Sequence, residues 1–337
     1  MTTCPFFGKC GGCKFDIASP DYRRQKSELL KDLPAHDAPL WLDENNDGRA
    51  CHAVAKRRRA DFSFTDGRIG FFAHRSRDIV PVDACPLLSP ALNRTLNQLR
   101  KIPLPGSGGI LVTECANGTD INITAAAKYY PAGFAAACAA TDAIRVTWND
   151  KVVLGREQPF IEFAGIRADY PPNAFLQPSV AGETALRELI GAGLSLNGRQ
   201  PTGLKTADLF CGLGAFALPF GADGYDNFAP GIQSLRAAGG NALLRDLLKN
   251  PLSARELARY RRIILDPPRI GAMAQCRKIA RTENCRLCYV SCNPATFLRD
   301  AKILGSGGLR LTKLTPVDQF MGSGHWELVG IFSFPAC

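Results

Sequence analysis

Lys205-Thr206-Ala207-Asp208-Leu209-Phe210-Cys211-Gly212-Leu213-Gly214-Ala215-Phe216 is the stretch whose reading decides the fold. Its first six residues predict a short buried strand, and the two glycines that follow predict a tight turn opening a helix. Such a strand–glycine–helix unit is the first βα turn of a doubly wound nucleotide-binding sheet. The full G-x-G-x-x-G spacing is absent, so a dinucleotide is not favoured. About ten residues on, Gly224-Tyr225-Asp226 offers a carboxylate at the end of a second strand, where an acid suits a ribose diol. Working outward, Phe175-Leu176-Gln177-Pro178 precedes a helix expected from about Ser179 to Ala192, and Arg262-Ile263-Ile264-Leu265 is a strand ending in Asp266-Pro267-Pro268-Arg269. Leu287-Cys288-Tyr289-Val290-Ser291 is another, stopped by Asn293-Pro294, which places Cys292 at a strand's carboxyl end. Further strands are expected over Leu309–Leu314 and Leu328–Phe332. This strand–helix alternation predicts an α/β domain over 166–337.

Upstream, residues 49–165 alternate with a short period. Asp66-Gly67 and Asn117-Gly118 are hairpin signals between apolar runs, and the region reads as a mostly β, antiparallel unit. Lys56-Arg57-Arg58-Arg59, with Arg75 and Arg77 nearby, is either a phosphate grip or a solvated charged face. Residues 1–48 carry Cys4-(x5)-Cys10-(x2)-Cys13 and then a helix expected from Asp21 to Leu33. Cys85, followed by Pro86, is a fourth thiol of matching local chemistry. Four thiolates hold either a tetrahedral zinc or an iron–sulfur cluster. The five-residue first spacer exceeds the usual two to four of zinc knuckles and favours a [4Fe–4S] cluster.

Thirteen cysteines among 337 residues point to metal or catalysis rather than disulfides if the chain is cytoplasmic, which is expected because no signal peptide or membrane-spanning run is evident. The formal net charge of +10 favours a polyanionic partner, most simply nucleic acid. No obligate protein partner is evident.

Taken in order, Asp208-Leu-Phe-Cys-Gly-Leu-Gly, Asp266-Pro-Pro-Arg, Ser291-Cys-Asn-Pro-Ala-Thr and His325-Trp-Glu327 closely resemble the RNA uracil-C5 methyltransferases that use S-adenosylmethionine. The resemblance covers essentially the whole chain. It implies a Rossmann-like class I methyltransferase domain, and it assigns the nucleophile to Cys292 and the base to Glu327. It places the cofactor near Gln177, Phe210, Asp226 and Asp266, with Asp246 near its adenine. Cys4, Cys10, Cys13 and Cys85 resemble the [4Fe–4S] ligands of the ribosomal-RNA members. The branch it resembles modifies a uridine of 23S ribosomal RNA, with transfer RNA as the alternative substrate. Since the chain begins just before Cys4, the N-terminal TRAM domain of many relatives is expected to be absent. Arg269 is expected to orient the base or a phosphate and His325 to contact RNA or support the fold. Cys285 and Cys288 read as structural. The segment from Phe216 to Asp226 is shorter than in relatives, and Asp226 replaces their commoner Glu. Both differences predict a contracted ribose pocket, and they motivate a competing reading as an iron–sulfur RNA-binding protein with a degenerate cofactor pocket.

Overall fold

Two seven-stranded sheets organise the computed structural model, which describes residues 4–42, 56–196, 205–283 and 285–335. The first sheet contains β1 (Arg59–Thr65), β2 (Arg68–Phe72), β3 (Ile79–Val80), β4 (Ser107–Cys115), β5 (Gly118–Ala125), β6 (Ala143–Trp148) and β7 (Lys151–Gly155), in the order 3-2-1-4-5-6-7. A hairpin of β8 (Phe160–Phe163) and β9 (Ile166–Asp169) follows. The second sheet contains β10 (Lys205–Leu209), β11 (Asp223–Asp226), β12 (Ala242–Leu244), β13 (Tyr260–Leu265), β14 (Arg286–Ser291), β15 (Arg310–Val317) and β16 (Glu327–Ser333), in the order 12-11-10-13-14-16-15. The boundary expected at 48/49 lies outside the described residues, and the one at 165/166 falls in the β8–β9 turn.

Alternating burial shapes the first sheet. Ala60, Phe62 and Phe64 of β1 point into a core shared with Ile110 and Val112 of β4. Asp66 and Gly67, both at positive φ, make the tight turn of the β1–β2 hairpin. One pair departs from the antiparallel expectation: β5 and β6 run parallel, joined by a crossover that contains the helix Phe134–Ala139. A second helix, Pro90–Leu99, was not expected. Ser89 caps it by accepting from Leu92 N at 3.2 Å, and Leu92, Leu96 and Leu99 cover the sheet.

The second sheet is parallel from β12 through β14, and β16 and β15 close it antiparallel. Helices cover its faces, so β14 is apolar on both sides, with Leu287 through Ser291 all buried. The helix Val180–Leu194 packs on β14 and β16 and is capped by Ser179.

Between the sheets, Arg58 is buried. Its Nη2 donates to Glu183 Oε2 at 2.5 Å and its Nε to the Gln177 carbonyl at 3.1 Å. This corrects the reading of the basic run as a uniform phosphate grip or solvated face, because its middle arginine is a structural tie. The N-terminal segment is tied in as well. Its helix spans Tyr22–Ser27, shorter than expected, and continues as one 3-10 turn to Leu30. Lys26, fully buried, is ion-paired with Asp318 and donates to the Phe320 carbonyl at 2.9 Å. Tyr22 Oη donates to Asp318 at 2.7 Å, and Trp326 Nε1 donates to the Lys26 carbonyl at 3.2 Å. Lys14 and Phe15 add backbone bonds to Gly322 O at 2.7 and 2.9 Å. The loop between β15 and β16 is therefore held by the chain's first thirty residues.

Removing one partner of a buried pair strands the other's charge, which costs about 3–5 kcal/mol. Lys26→Met is expected to lower the unfolding free energy by that amount in urea denaturation. A loss below about 1 kcal/mol would show that the pair is not the tie described here.

Candidate active site

Parallel pairing sends β10, β11, β12, β13 and β14 out of the sheet at one edge. Each ends on, or is followed within two residues by, a polar or aromatic residue singled out above: Phe210, Asp226, Asp246, Asp266 and Cys292. β16 runs the other way, so its first residue, Glu327, reaches the same edge, where Leu328 pairs with Ser291. All six residues, with Gln177, line one cavity of about 600 Å³.

The turn after β10 shapes the cavity's base. Phe210 at φ 67°, Gly212 at φ 53° and Gly214 at φ 92° all adopt left-handed backbone. A side chain at 214 would come within 2.5 Å of Leu235 Cδ1, so glycine is required there on two counts. Phe210 is not a glycine, and its strained backbone is held by N–H bonds from Phe210 and Cys211 to Tyr225 O at 2.9 and 3.1 Å. Asp226 accepts from Gly212 N at 3.0 Å and from Phe228 N at 2.8 Å, which fixes its carboxylate at the turn. The short 216–226 segment is accommodated by a single helical turn, Ala217–Phe220, and a four-residue β11. Asp226 lines the cavity at that turn.

Around Cys292 the groups form a chain of hydrogen bonds. Gln177 Nε2 donates to Asp266 Oδ2 at 3.1 Å. Gln319 Nε2 donates both to Gln177 Oε1 at 2.8 Å and to Glu327 Oε2 at 3.0 Å. Gln319 went unnoticed in the sequence. The one available signal was its place in Asp318-Gln319-Phe320, just ahead of His325-Trp326-Glu327. Burial pushes Asp266 up to about 7. Glu327 is raised well above the usual carboxylate range, first by burial and then by the Asp266 charge. Cys292 is pushed up to about 11 by burial and then by Glu327 and Asp266, with Arg269 opposing. Arg269 stands at the exposed mouth, 3.5 Å from His325 Nδ1, and its carbonyl accepts from Asn293 Nδ2 at 3.0 Å. Asp246 lines the cavity and caps Leu248 N and Lys249 N. Cys285 and Cys288 are buried, as expected of structural thiols.

A second cavity of about 540 Å³ adjoins the first and shares Phe175, Pro178 and Phe320 with it. It is lined by Cys4, Cys10, Cys13 and Cys85 together with Arg57 and Arg59, the outer arginines of the basic run. All four thiols thus line that one cavity. Burial and then the neighbouring Cys85 raise Cys13, a thiol environment that metal binding would relieve. Among the described residues no three His, Cys, Asp or Glu side chains are grouped tightly enough for a single metal ion.

An open α/β sheet in this strand order, with a glycine turn and an acid at the neighbouring strand end, is the class I fold of S-adenosylmethionine-dependent methyltransferases. The Pyrococcus abyssi tRNA (uracil-54, C5)-methyltransferase in complex with S-adenosyl-L-homocysteine shares this fold, with a TM-score of 0.74 at 20% identity over 97% of this chain and 86% of that one. No family model matches the chain. It is 33% identical to an uncharacterized RNA methyltransferase of Caulobacter vibrioides over 98% of its own length and 85% of the relative's. It is 32% identical to one of Agrobacterium fabrum over 96% and 82%. The 23S rRNA (uracil(1939)-C(5))-methyltransferase RlmD of Salmonella typhi is 29% identical over 98% and 81%. The chain belongs to the family of RNA methyltransferases.

The Glu327 carboxylate is one cause holding the Cys292 thiol protonated, so Glu327→Gln should lower the thiol's pKa and raise the thiolate fraction at pH 8. Iodoacetamide should then alkylate Cys292 faster than in wild type, as followed by peptide mass spectrometry. Unchanged or slower alkylation would show that Glu327 does not govern this sulfur.

Proposed function

We propose that the protein methylates C5 of a uridine in 23S ribosomal RNA, with Cys292 as nucleophile and Glu327 as base. The observation that carries this reading is the convergence of Cys292, Glu327, Asp266 and Gln177 on the cavity that also reaches Asp226 and Phe210. The ribosomal substrate rests on the likeness to the Salmonella enzyme over nearly the whole chain. A cytoplasmic location follows from that substrate.

Uracil C5 is a weak nucleophile. The Cys292 sulfur adds to C6 and pushes the ring electrons toward O4 and C5. C5 then takes the methyl group that S-adenosylmethionine supplies when bound. Glu327 removes the C5 proton, and the returning electrons expel the thiolate from C6. One difficult substitution thereby becomes a set of easier steps. The thiol and both carboxyls are held toward their neutral forms by burial, and a cationic methyl donor would favour their ionised forms. Of the cofactor's neighbours, Asp226 would take the ribose hydroxyls and Phe210 an apolar face, while Asp246 would sit near the adenine. Asp266 and Gln177, expected beside the cofactor, would at the same time face the pyrimidine edge. The target nucleotide must leave its stack to reach this depth. A cavity lined by Asp226 favours catalysis over the reading of a degenerate pocket.

The same reading gives Cys4, Cys10, Cys13 and Cys85 a [4Fe–4S] cluster. It would shape the RNA-facing surface beside Arg57 and Arg59 and take no part in methyl transfer.

Cys292→Ala is expected to abolish methyl transfer to a ribosomal RNA fragment while leaving the thermal unfolding temperature unchanged. Undiminished turnover would refute the assignment of the nucleophile. Cys85→Ser should remove the broad visible absorbance of a cluster and weaken RNA affinity, with single-turnover methyl transfer at saturating RNA retained. A wild-type protein without that absorbance after anaerobic reconstitution with iron and sulfide would sink the cluster proposal.

A further inference from the structure

Thiolate addition at C6 activates C5 of cytosine as readily in principle as C5 of uracil, so the chemistry does not choose between the two bases. Choice must come from the pyrimidine's hydrogen-bonding edge. Uracil presents an N3–H donor beside the O4 acceptor. Cytosine presents the reverse, an N3 acceptor beside an N4 amino group. A site that offers an acceptor next to a donor fits uracil alone, and Asp266 with Gln177 Nε2 is such a pair. Gln177 keeps one Nε2 hydrogen beyond its bond to Asp266.

A glutamine amide can turn over and exchange its oxygen for its nitrogen. Turned over, Gln177 would set an acceptor against uracil O4, losing that match, and would meet cytosine's N4 amino group instead. What opposes the turn is Asp266 at one end, which accepts from Gln177 Nε2, and at the other Gln319, whose Nε2 spends one hydrogen on Gln177 Oε1 at 2.8 Å and the other on Glu327 Oε2 at 3.0 Å. Gln319 Oε1 is left buried with no hydrogen-bond partner, so the amide forgoes its own acceptor to serve both contacts. Turning Gln177 alone would set N–H against N–H, and turning Gln319 alone would set oxygen against oxygen. The two can turn only together, and then only if both terminal carboxyls carry protons to donate. Gly182 leaves the room this arrangement needs, because a Cβ there would lie 2.2 Å from Gln319 Oε1.

We infer that Gln319 is a positioning residue for base selection: it does not line the cavity but locks the amide of Gln177 in the orientation that accepts uracil and rejects cytosine. This rests on the uracil-C5 reading above and deepens it.

The test compares two RNA fragments that differ only in uridine or cytidine at the target position, with kcat/KM for methyl transfer measured on both. Gln319→Met keeps the volume and removes the donors. It should lower the uridine-to-cytidine ratio by about tenfold or more, since discrimination by a site built to hydrogen-bond its substrate rests on holding those polar groups in one orientation and exceeds that scale when they are held. Gly182→Ala displaces the same amide from the other side and should shift the ratio in the same direction. A merely structural role would depress both substrates equally and leave the ratio alone. An unchanged ratio in either variant at wild-type unfolding temperature, while wild type methylates uridine, overturns this inference and spares the reaction. A wild type that methylates no uridine overturns the reaction, and the inference with it.

Discussion

Parallel strand pairing is the constraint on which the site depends. A parallel ladder forces consecutive strands to leave the sheet at one edge, so residues drawn from positions 210, 226, 246, 266 and 292 are delivered to one rim without any contact between them being specified in advance. The reversal at β16 is what completes the set. An antiparallel strand starts where its neighbours finish, and Glu327 therefore opens its strand against the end of the strand that delivers Cys292.

Once gathered, these groups resist ionisation. Two carboxyls and a thiol share this rim: burial raises all three, Asp266 adds to the rise at Glu327, both carboxylates add to it at Cys292, and Arg269 at the mouth is the cation opposing this at Cys292. Raising the thiol in this way lowers its reactivity toward chance electrophiles. It also makes the site responsive to positive charge brought in from outside. The basic surplus of the chain works at longer range, drawing a polyanion toward a rim that carries little positive charge of its own.

Much of this was legible in the sequence because it is local. Strand-ending dipeptides, the glycine turn and the hairpin signals each act within a few residues, and the strands they imply lie close to where they were expected. Contacts between distant segments left no such mark. Arg58 reads as one more surface cation until Glu183 and the Gln177 carbonyl are seen beside it. Lys26 is four residues past a helix start and gives no hint of Asp318. Gln319 sits in an unremarkable loop, and only its two acceptors give it meaning. The parallel β5–β6 pair was missed because hairpin signals say which neighbours can turn back, not which strands find each other across a helix.

The tie between Lys26 and the β15–β16 loop bears on how this molecule can be taken apart. Its second sheet looks self-contained, yet Asp318 faces a lysine supplied almost 300 residues earlier in the chain. Excising the C-terminal half as a minimal catalyst would strip that aspartate of Lys26 and of the Tyr22 hydroxyl, and would strip Trp326, one residue before the proposed base, of the Lys26 carbonyl. The cysteine-bearing segment is thus a tenon of the catalytic half, and any split or permuted version of the protein has to keep the two joined.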